Sequence, residues 1–150
     1  MTNRNKAKGT AWESEIVTEL RAQGHDSARR VVQAGAADVG DVHVGAILSP
    51  LVAIEAKNEK ALTISSYVDE AKIEGDNAGA LFGGVAWVKR RGKTSARDGY
   101  VIMDGQTFID ILAALDTRMT REGALPQHVI ATTQAERTRS ALDAIRGGAL

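Results

Sequence analysis

The 150-residue chain has no cysteine and only two prolines. The lack of cysteine excludes disulfide frameworks, thiolate metal sites and a cysteine nucleophile. No apolar run is long enough to cross a bilayer, because the longest, residues 44–54, is interrupted by Ser49-Pro50. The basic first segment is not followed by the apolar stretch of a secretory signal. We therefore expect a single-core cytoplasmic protein that does not enter a membrane.

Acidic and basic residues are equal in number, 19 of each, so the net charge gives no indication of a nucleic-acid partner. Their distribution is uneven: bases concentrate near the N-terminus and in residues 89–97, and acids in residues 55–76. Carboxylates that hold a divalent cation, with flanking bases that bind phosphates, would give this pattern, and so would an ordinary solvated surface. The candidate phosphate contacts are Lys6, Lys8, Arg29, Arg30, Lys89, Arg90, Arg91 and Lys93.

Hydrophobic periodicity predicts an α/β chain with the order α-β-β-β-α-β-β-α, which is typical of a mixed sheet flanked by helices. A first domain is expected over residues 1–116, with a C-terminal helical extension over residues 117–150. The predicted helices are residues 10–23, 64–80, 106–115 and, with a weak apolar stripe, 134–145; the predicted strands are residues 29–33, 39–47, 51–57, 80–89 and 100–103.

The two strands on either side of Ser49-Pro50 form a predicted hairpin. If its turn centres near Leu48, paired residues have numbers that sum to about 96, which places Asp41 opposite Glu55. Opposed residues share a face of the sheet, with Cβ atoms about 5 Å apart, and two carboxylates so close repel unless a cation separates them. Oxygen ligands of this kind suit Mg²⁺, and Lys57 on the same face adds a positive charge. The hairpin therefore predicts a site for metal-assisted hydrolysis.

Three points bear on this interpretation of the hairpin: a chance triplet, a second aspartate and a nearby histidine. A Glu-x-Lys triplet alone is weak evidence, since residues 70–72 repeat it on a predicted helix, where positions two apart do not share a face. Asp38 is an alternative to Asp41, but its glycine- and alanine-rich surroundings favour a loop. His43 shares the face of Asp41, although a lone histidine is more often incidental to a site.

Glu13 lies on the apolar face of the first predicted helix. Viewed down the helix axis, its side chain falls between those of Ile16 and Val17. An acid in that position is costly unless it has a partner. It completes a capping box with Thr10, in which its side chain would bond to the Thr10 amide. A functional role explains its position equally well, and both explanations stay open.

Three segments resemble one family of nucleases. Residues 8–17 (KGTAWESEIV) resemble the opening helix of archaeal-type Holliday junction resolvases, which are PD-(D/E)xK nucleases. Residues 40–42 (GDV) and 52–57 (VAIEAK) resemble the Asp strand and the ExK strand of that family, in the same order. Residues 66–71 and 88–91 resemble a phage and actinobacterial branch. Gly40 departs from the pattern, because a proline often precedes the catalytic Asp.

The resemblance implies a restriction-endonuclease-like core and Mg²⁺-dependent cleavage of DNA, with Mn²⁺ able to substitute. Glu13, Asp41, Glu55 and Lys57 are its implied catalytic residues. Asp41, Glu55 and the backbone carbonyl of Ala56 would hold the metal, Glu13 would hold a second ion or a metal-bound water, and Lys57 would orient the attacking water.

The same resemblance implies DNA as the partner, in the form of a Holliday junction or another branched structure. A two-fold symmetric junction requires two active sites, so it implies a homodimer. The expected location is the cytoplasm of a bacterium or of a phage-infected host. Two alternatives stay open: a repair, nicking or restriction-type nuclease with the same site, and a non-catalytic DNA-binding or assembly module whose carboxylates are structural.

Overall fold

A computed structural model of the chain describes residues 3–32 and 35–122. The chain divides into two compact units, Met1–Asp110 and Ile111–Leu150. The predicted helix over residues 134–145 and most of the predicted C-terminal extension lie outside the described residues. No helix within the described ranges has the length and apolar character needed to cross a membrane.

The described elements follow the predicted order, and the architecture is α/β with a five-stranded mixed sheet. Most strands are shorter than predicted, and a short 3₁₀ helix, Ala96–Asp98, lies in the basic loop. The helices are α1 (Asn3–Ala22), α2 (Ile64–Asn77) and α3 (Gly105–Glu122); the strands are β1 (Arg29–Arg30), β2 (Val42–Gly45), β3 (Pro50–Lys57), β4 (Gly84–Val88) and β5 (Tyr100–Ile102).

The start of α1 corrects one prediction. The helix begins at Asn3 rather than at Thr10, so Thr10 lies within it and the predicted capping box is wrong. The preceding segment is rich in lysine, arginine and alanine, which are good helix formers. A single Gly9 costs only about 1 kcal/mol against alanine and does not end a helix anchored downstream by buried Trp12.

The sheet has the strand order β1-β2-β3-β4-β5, in which only β3 and β4 are parallel. Val42 pairs with Ile54 and His43 with Ala53, so the predicted hairpin register, with numbers that sum to 96, is confirmed. The regular ladder begins at Val42, one residue after Asp41.

The two faces of the sheet pack against different helices. On one face, Trp12, Ile16 and Val17 of α1 pack in a core with Val42, Ile54 and Val85 of the strands. On the other face, Tyr67 and Ala71 of α2 pack with Ala86 and Val88 of β4. Glu55 pairs with Ala86, and Lys57 pairs with Val88. Since paired residues share a face, Glu55 and Lys57 face α2 rather than α1.

The backbones of α2 and β4 approach closely at two glycines. A Cβ on Gly84 would overlap the carbonyl oxygen of Ala71, and a Cβ on Gly75 would overlap the Gly84 amide. Only glycine therefore lets α2 lie this close to the sheet. The contact fixes the depth of the α2 side chains, including that of Glu74, the neighbour of Gly75.

We predict that Gly84→Ala destabilises the protein by about 3 kcal/mol, the upper part of the range for overpacking, since backbone atoms cannot move aside. Gly105→Ala is the matched control, because a Cβ there meets no atom within 4 Å. Urea unfolding followed by circular dichroism measures both free energies of unfolding. Equal stabilities of the two variants would contradict the close approach.

Candidate functional site

Asp41 is held beside Glu55 by two hydrogen bonds to the flanking residues of β3. Its amide donates to the carbonyl oxygen of Ile54 at 2.9 Å, and its Oδ2 accepts from the amide of Ala56 at 2.9 Å. Burial, then the negative charge of Glu55, raises the pKa of Asp41 from 3.8 to about 6, although the bond from Ala56 opposes this. The Asp41 carboxylate is thus next to that of Glu55, as the register predicts.

Asp38 does not take this position. It lies in the exposed loop before β2, where its Oδ1 accepts a hydrogen bond from the Gly40 amide at 3.3 Å. Its negative charge still contributes to the raised pKa of Asp41. Of the two aspartates, Asp41 is the one that the structure joins to Glu55.

Lys57 lies between two glutamates. Its Nζ is 2.7 Å from Glu55 Oε1 and 2.5 Å from Glu70 Oε2, and it stands 5.5 Å from the centre of the Tyr67 ring. Burial acts to lower the pKa of Lys57, but the hydrogen bonds and negative charges of the two glutamates outweigh it and raise the pKa above its usual range. Lys57 is therefore a fixed positive charge beside Glu55.

Glu74 is a member of the site that the sequence interpretation missed. Glu74 is only 6% exposed, and its Oε2 has no hydrogen-bond partner among the described residues. Burial, then a hydrogen bond with Glu55 and that residue's charge, raises the pKa of Glu74 from 4.5 to about 9. Half-buried Asp41 and Glu55 and buried Glu74, which we call the acid cluster, thus lie on the α2 side of the sheet.

A signal for Glu74 was present in the sequence. The buried positions of α2 are Tyr67, Ala71, Glu74 and Gly75, so Glu74 lies on the apolar stripe of its helix. An acid on such a stripe needs a partner or a function, which is the same reasoning that singles out Glu13.

Glu13 lies apart from the acid cluster. Its Oε2 accepts hydrogen bonds from Arg30 Nη2 at 2.6 Å and Nε at 2.9 Å. Arg30 pairs with Val42, whose side chain belongs to the core against α1. The structure thus joins three of the four predicted catalytic residues and places Glu13 on the other side of the sheet. The catalytic role of Glu13 stays a prediction.

His43 has a structural explanation. It is buried, and its Nε2 lies 2.7 Å from the carbonyl oxygen of Val39. One ring nitrogen is therefore engaged in holding the segment that leads into β2.

The basic run begins at the end of β4, beside the backbone of Lys57. The amide of Lys89 donates to the carbonyl oxygen of Lys57 at 2.8 Å, at the ends of the parallel strands β3 and β4. Lys89 stands over the Trp12 ring at 5.3 Å, and Arg90 over the Tyr100 ring at 5.9 Å. Arg91 and Lys93 are exposed in the loop that follows.

The other predicted phosphate contacts differ in their surroundings. Arg29 donates to the carbonyl oxygens of Gly45 at 2.8 Å and Ala46 at 3.1 Å, and so holds the turn of the hairpin. Lys6 and Lys8 are exposed near the start of α1. Asn58, the residue after Lys57, donates to the carbonyl oxygen of Lys8 at 3.2 Å, which places this basic segment near the end of β3.

The donor set of the acid cluster fits a divalent cation in its chemistry. Its members offer hard carboxylate oxygens, and the buried Glu74 Oε2 has no donor to satisfy it. Among residues 3–32 and 35–122, no group of three or more His, Cys, Asp or Glu side chains is arranged to hold a metal ion. Asp41 and Glu55 instead interact with Ala56 and Lys57. Mg²⁺ often needs only one or two protein carboxylates, because it keeps several waters.

We predict that Glu74→Gln stabilises the metal-free protein at pH 8. A carboxyl whose pKa is raised by folding binds a proton more tightly in the folded state, so stability falls as the pH rises from 4.5 towards about 9. Each unit of such a shift corresponds to about 1.4 kcal/mol, and a neutral amide removes the effect. Thermal unfolding from pH 5 to pH 9 in EDTA should show a flatter pH dependence for the variant. Asp76→Asn, an exposed change on the same helix, is the control; identical profiles for Glu74→Gln and wild type would contradict the assignment.

Comparison with family models, curated proteins and solved structures gives no match for this chain. What the site does is therefore inferred from the acid cluster, Lys57 and the basic run beside them.

Proposed function

We propose that the chain is a Mg²⁺-dependent endodeoxyribonuclease of the PD-(D/E)xK type, with a restriction-endonuclease-like core, that cleaves Holliday junctions or other branched DNA. The observation that carries this proposal is the contact of three residues on one face of the sheet. Asp41 is held at Glu55 by the Ala56 amide, and Lys57 is paired with Glu55 at 2.7 Å. The α/β fold with a mixed sheet is compatible with such a core.

Asp41, Glu55 and the backbone carbonyl of Ala56 would hold Mg²⁺, for which Mn²⁺ would substitute. When bound, the ion would supply a water of lowered pKa and would stabilise negative charge on the phosphate. Water would attack phosphorus while the bond to the 3′ oxygen breaks. The attacking water would lose its proton to solvent and the 3′ oxygen would take a proton from solvent, which leaves 5′-phosphate and 3′-hydroxyl ends. Lys57, which stays protonated, donates a hydrogen bond to the attacking water or a phosphate oxygen and offsets the developing charge.

The position of the basic run supports DNA as the substrate. Because Lys89 follows β4 beside the backbone of Lys57, the loop that carries Arg91 and Lys93 begins at the end of the sheet where Lys57 lies. Phosphates bound there would lead a DNA strand towards Asp41 and Glu55.

Glu13 and Arg30 enter the proposal as a pair. The family resemblance implies that Glu13 holds a second ion or a metal-bound water. Arg30 is a predicted phosphate contact. A DNA phosphate that binds Arg30 would compete for the guanidinium that now holds Glu13. The preference for a junction and the homodimer that it requires rest on the resemblance and belong to this proposal.

We predict that Asp41→Asn, Glu55→Gln and Lys57→Met each lower Mg²⁺-dependent cleavage by at least about 100-fold, since each removes a group that acts on the transition state. Lys72→Met is the matched control, because Lys72 ends the second Glu-Ala-Lys triplet but lies on α2 and pairs with Asp104, away from Glu55. The assay offers four-way junctions, flaps and plain duplex to each protein, with folding checked by circular dichroism.

The outcomes separate the alternatives. Wild-type cleavage retained by Glu55→Gln would remove this site from the mechanism. Duplex cut as fast as the junction would favour a repair, nicking or restriction-type nuclease. DNA binding without cleavage in either Mg²⁺ or Mn²⁺ would favour the non-catalytic module.

We predict that the double change Arg91→Ala and Lys93→Ala weakens DNA binding and lowers its salt dependence. Each lost phosphate contact reduces the slope of log K against log salt by about 0.9 for duplex DNA, so two contacts reduce it by about 1.8. Fluorescence anisotropy with a labelled oligonucleotide in EDTA measures this slope separately from cleavage. Lys72→Ala is the control, and an unchanged slope in the double variant would exclude these residues from the DNA contact.

A further inference from the structure

The proposed mechanism gives roles to Asp41, Glu55 and Lys57 but none to the buried carboxylate of Glu74. We propose that ion binding draws in Glu74 as a third carboxylate ligand beside Asp41 and Glu55, since no three such side chains among the described residues are already arranged around an ion. This inference rests on the proposed function and adds to it a residue from α2, outside the segments that carry the family resemblance to the Asp and ExK strands.

The burial of Glu74 is the first support. A residue that is 6% exposed, with an Oε2 that no hydrogen-bond donor contacts, leaves an acceptor both dehydrated and unsatisfied. Such a group is costly, commonly by about 1–3 kcal/mol, so its presence needs an explanation in function or in an unseen partner. A cation at that oxygen would provide the missing partner.

The direction of the side chain is the second support. Glu74 lies near enough to Glu55 for the charge of Glu55 to act on it, and its Oε2 lies 3.6 Å from the point where a Cβ on Gly40 would stand. Gly40 directly precedes Asp41 and has a φ of +83°, a conformation that favours glycine. The unsatisfied oxygen therefore lies beside the residue that precedes Asp41, where a side chain would come into contact with it.

The neighbouring charges offer no other cation for Glu74. Lys57 is taken by Glu55 and Glu70, at 2.7 Å and 2.5 Å. The remaining charged neighbours of Glu74, which are Glu55 and Asp38, are negative. A divalent ion together with Lys57 would balance the three negative charges of the ionised acid cluster.

The experiment measures Mn²⁺ binding by electron paramagnetic resonance on the whole chain without DNA. Wild type is expected to bind, and Glu74→Gln and the similarly sized Glu74→Met are each expected to bind about 10- to 100-fold more weakly. Asp76→Asn removes an exposed acid two residues further along α2 and should leave the affinity unchanged. Two substitutions are used so that a folding defect in one does not decide the result.

A second arm tests whether Glu74 and Glu55 hold the same ion. Affinities of Glu55→Gln, Glu74→Gln and the double variant form a cycle, and ligands of one ion should show losses that are not additive. Additive losses would place Glu74 at a different ion and overturn the inference. Wild-type affinity in both Glu74 variants would also overturn the inference. In either case, binding of Mn²⁺ by the wild type would remain consistent with the proposed nuclease. A wild-type protein that binds no Mn²⁺ would overturn the proposed function together with the inference.

Discussion

The repulsion between buried carboxylates is the constraint on which the rest of the site depends. Glu55 lies near both Asp41 and Glu74 in a region that excludes much of the solvent, and burial together with the charge of Glu55 raises the pKa of Asp41 and of Glu74. Lys57 offsets this repulsion at Glu55, and the Ala56 amide offsets it at Asp41. A chain under selection for stability alone would separate these side chains or replace one by an apolar residue. That the fold keeps them together is the main physical reason to expect a cation there.

Two structural devices hold the carboxylates together against that repulsion. The hairpin register fixes Asp41 beside Glu55, because Asp41 forms hydrogen bonds with the backbone of Ile54 and of Ala56, the two neighbours of Glu55. The close approach of Gly75 to Gly84 fixes the third acid, because it presses α2 onto β4 at the residue next to Glu74. Both devices act through backbone atoms, which cannot rotate away as side chains can. The site is therefore organised by the fold itself rather than by mobile ionic contacts.

The sequence predicted the hairpin well because its signals are local. Alternating polar and apolar residues on both sides of Ser49-Pro50 determine the register, and the register determines which side chains meet. The start of α1 and the position of Glu74 were not predicted, since both depend on distant contacts. Trp12 donates to the carbonyl oxygen of Trp87, 75 residues away, and anchors a helix whose beginning carries no capping signal. Glu74 meets Glu55 only because two glycines let helix and sheet approach.

Glu13 and Glu74 present the same pattern in sequence, an acid on the apolar stripe of a helix, and the structure resolves them differently. Glu13 receives two hydrogen bonds from Arg30, so its charge is compensated before any ligand arrives. Glu74 receives no compensation at Oε2 and has negative neighbours. A cation gains more from an uncompensated buried oxygen than from one that must first give up a guanidinium. The difference in partners, rather than the position of either residue in a motif, therefore makes Glu74 the acid better prepared to receive a divalent ion.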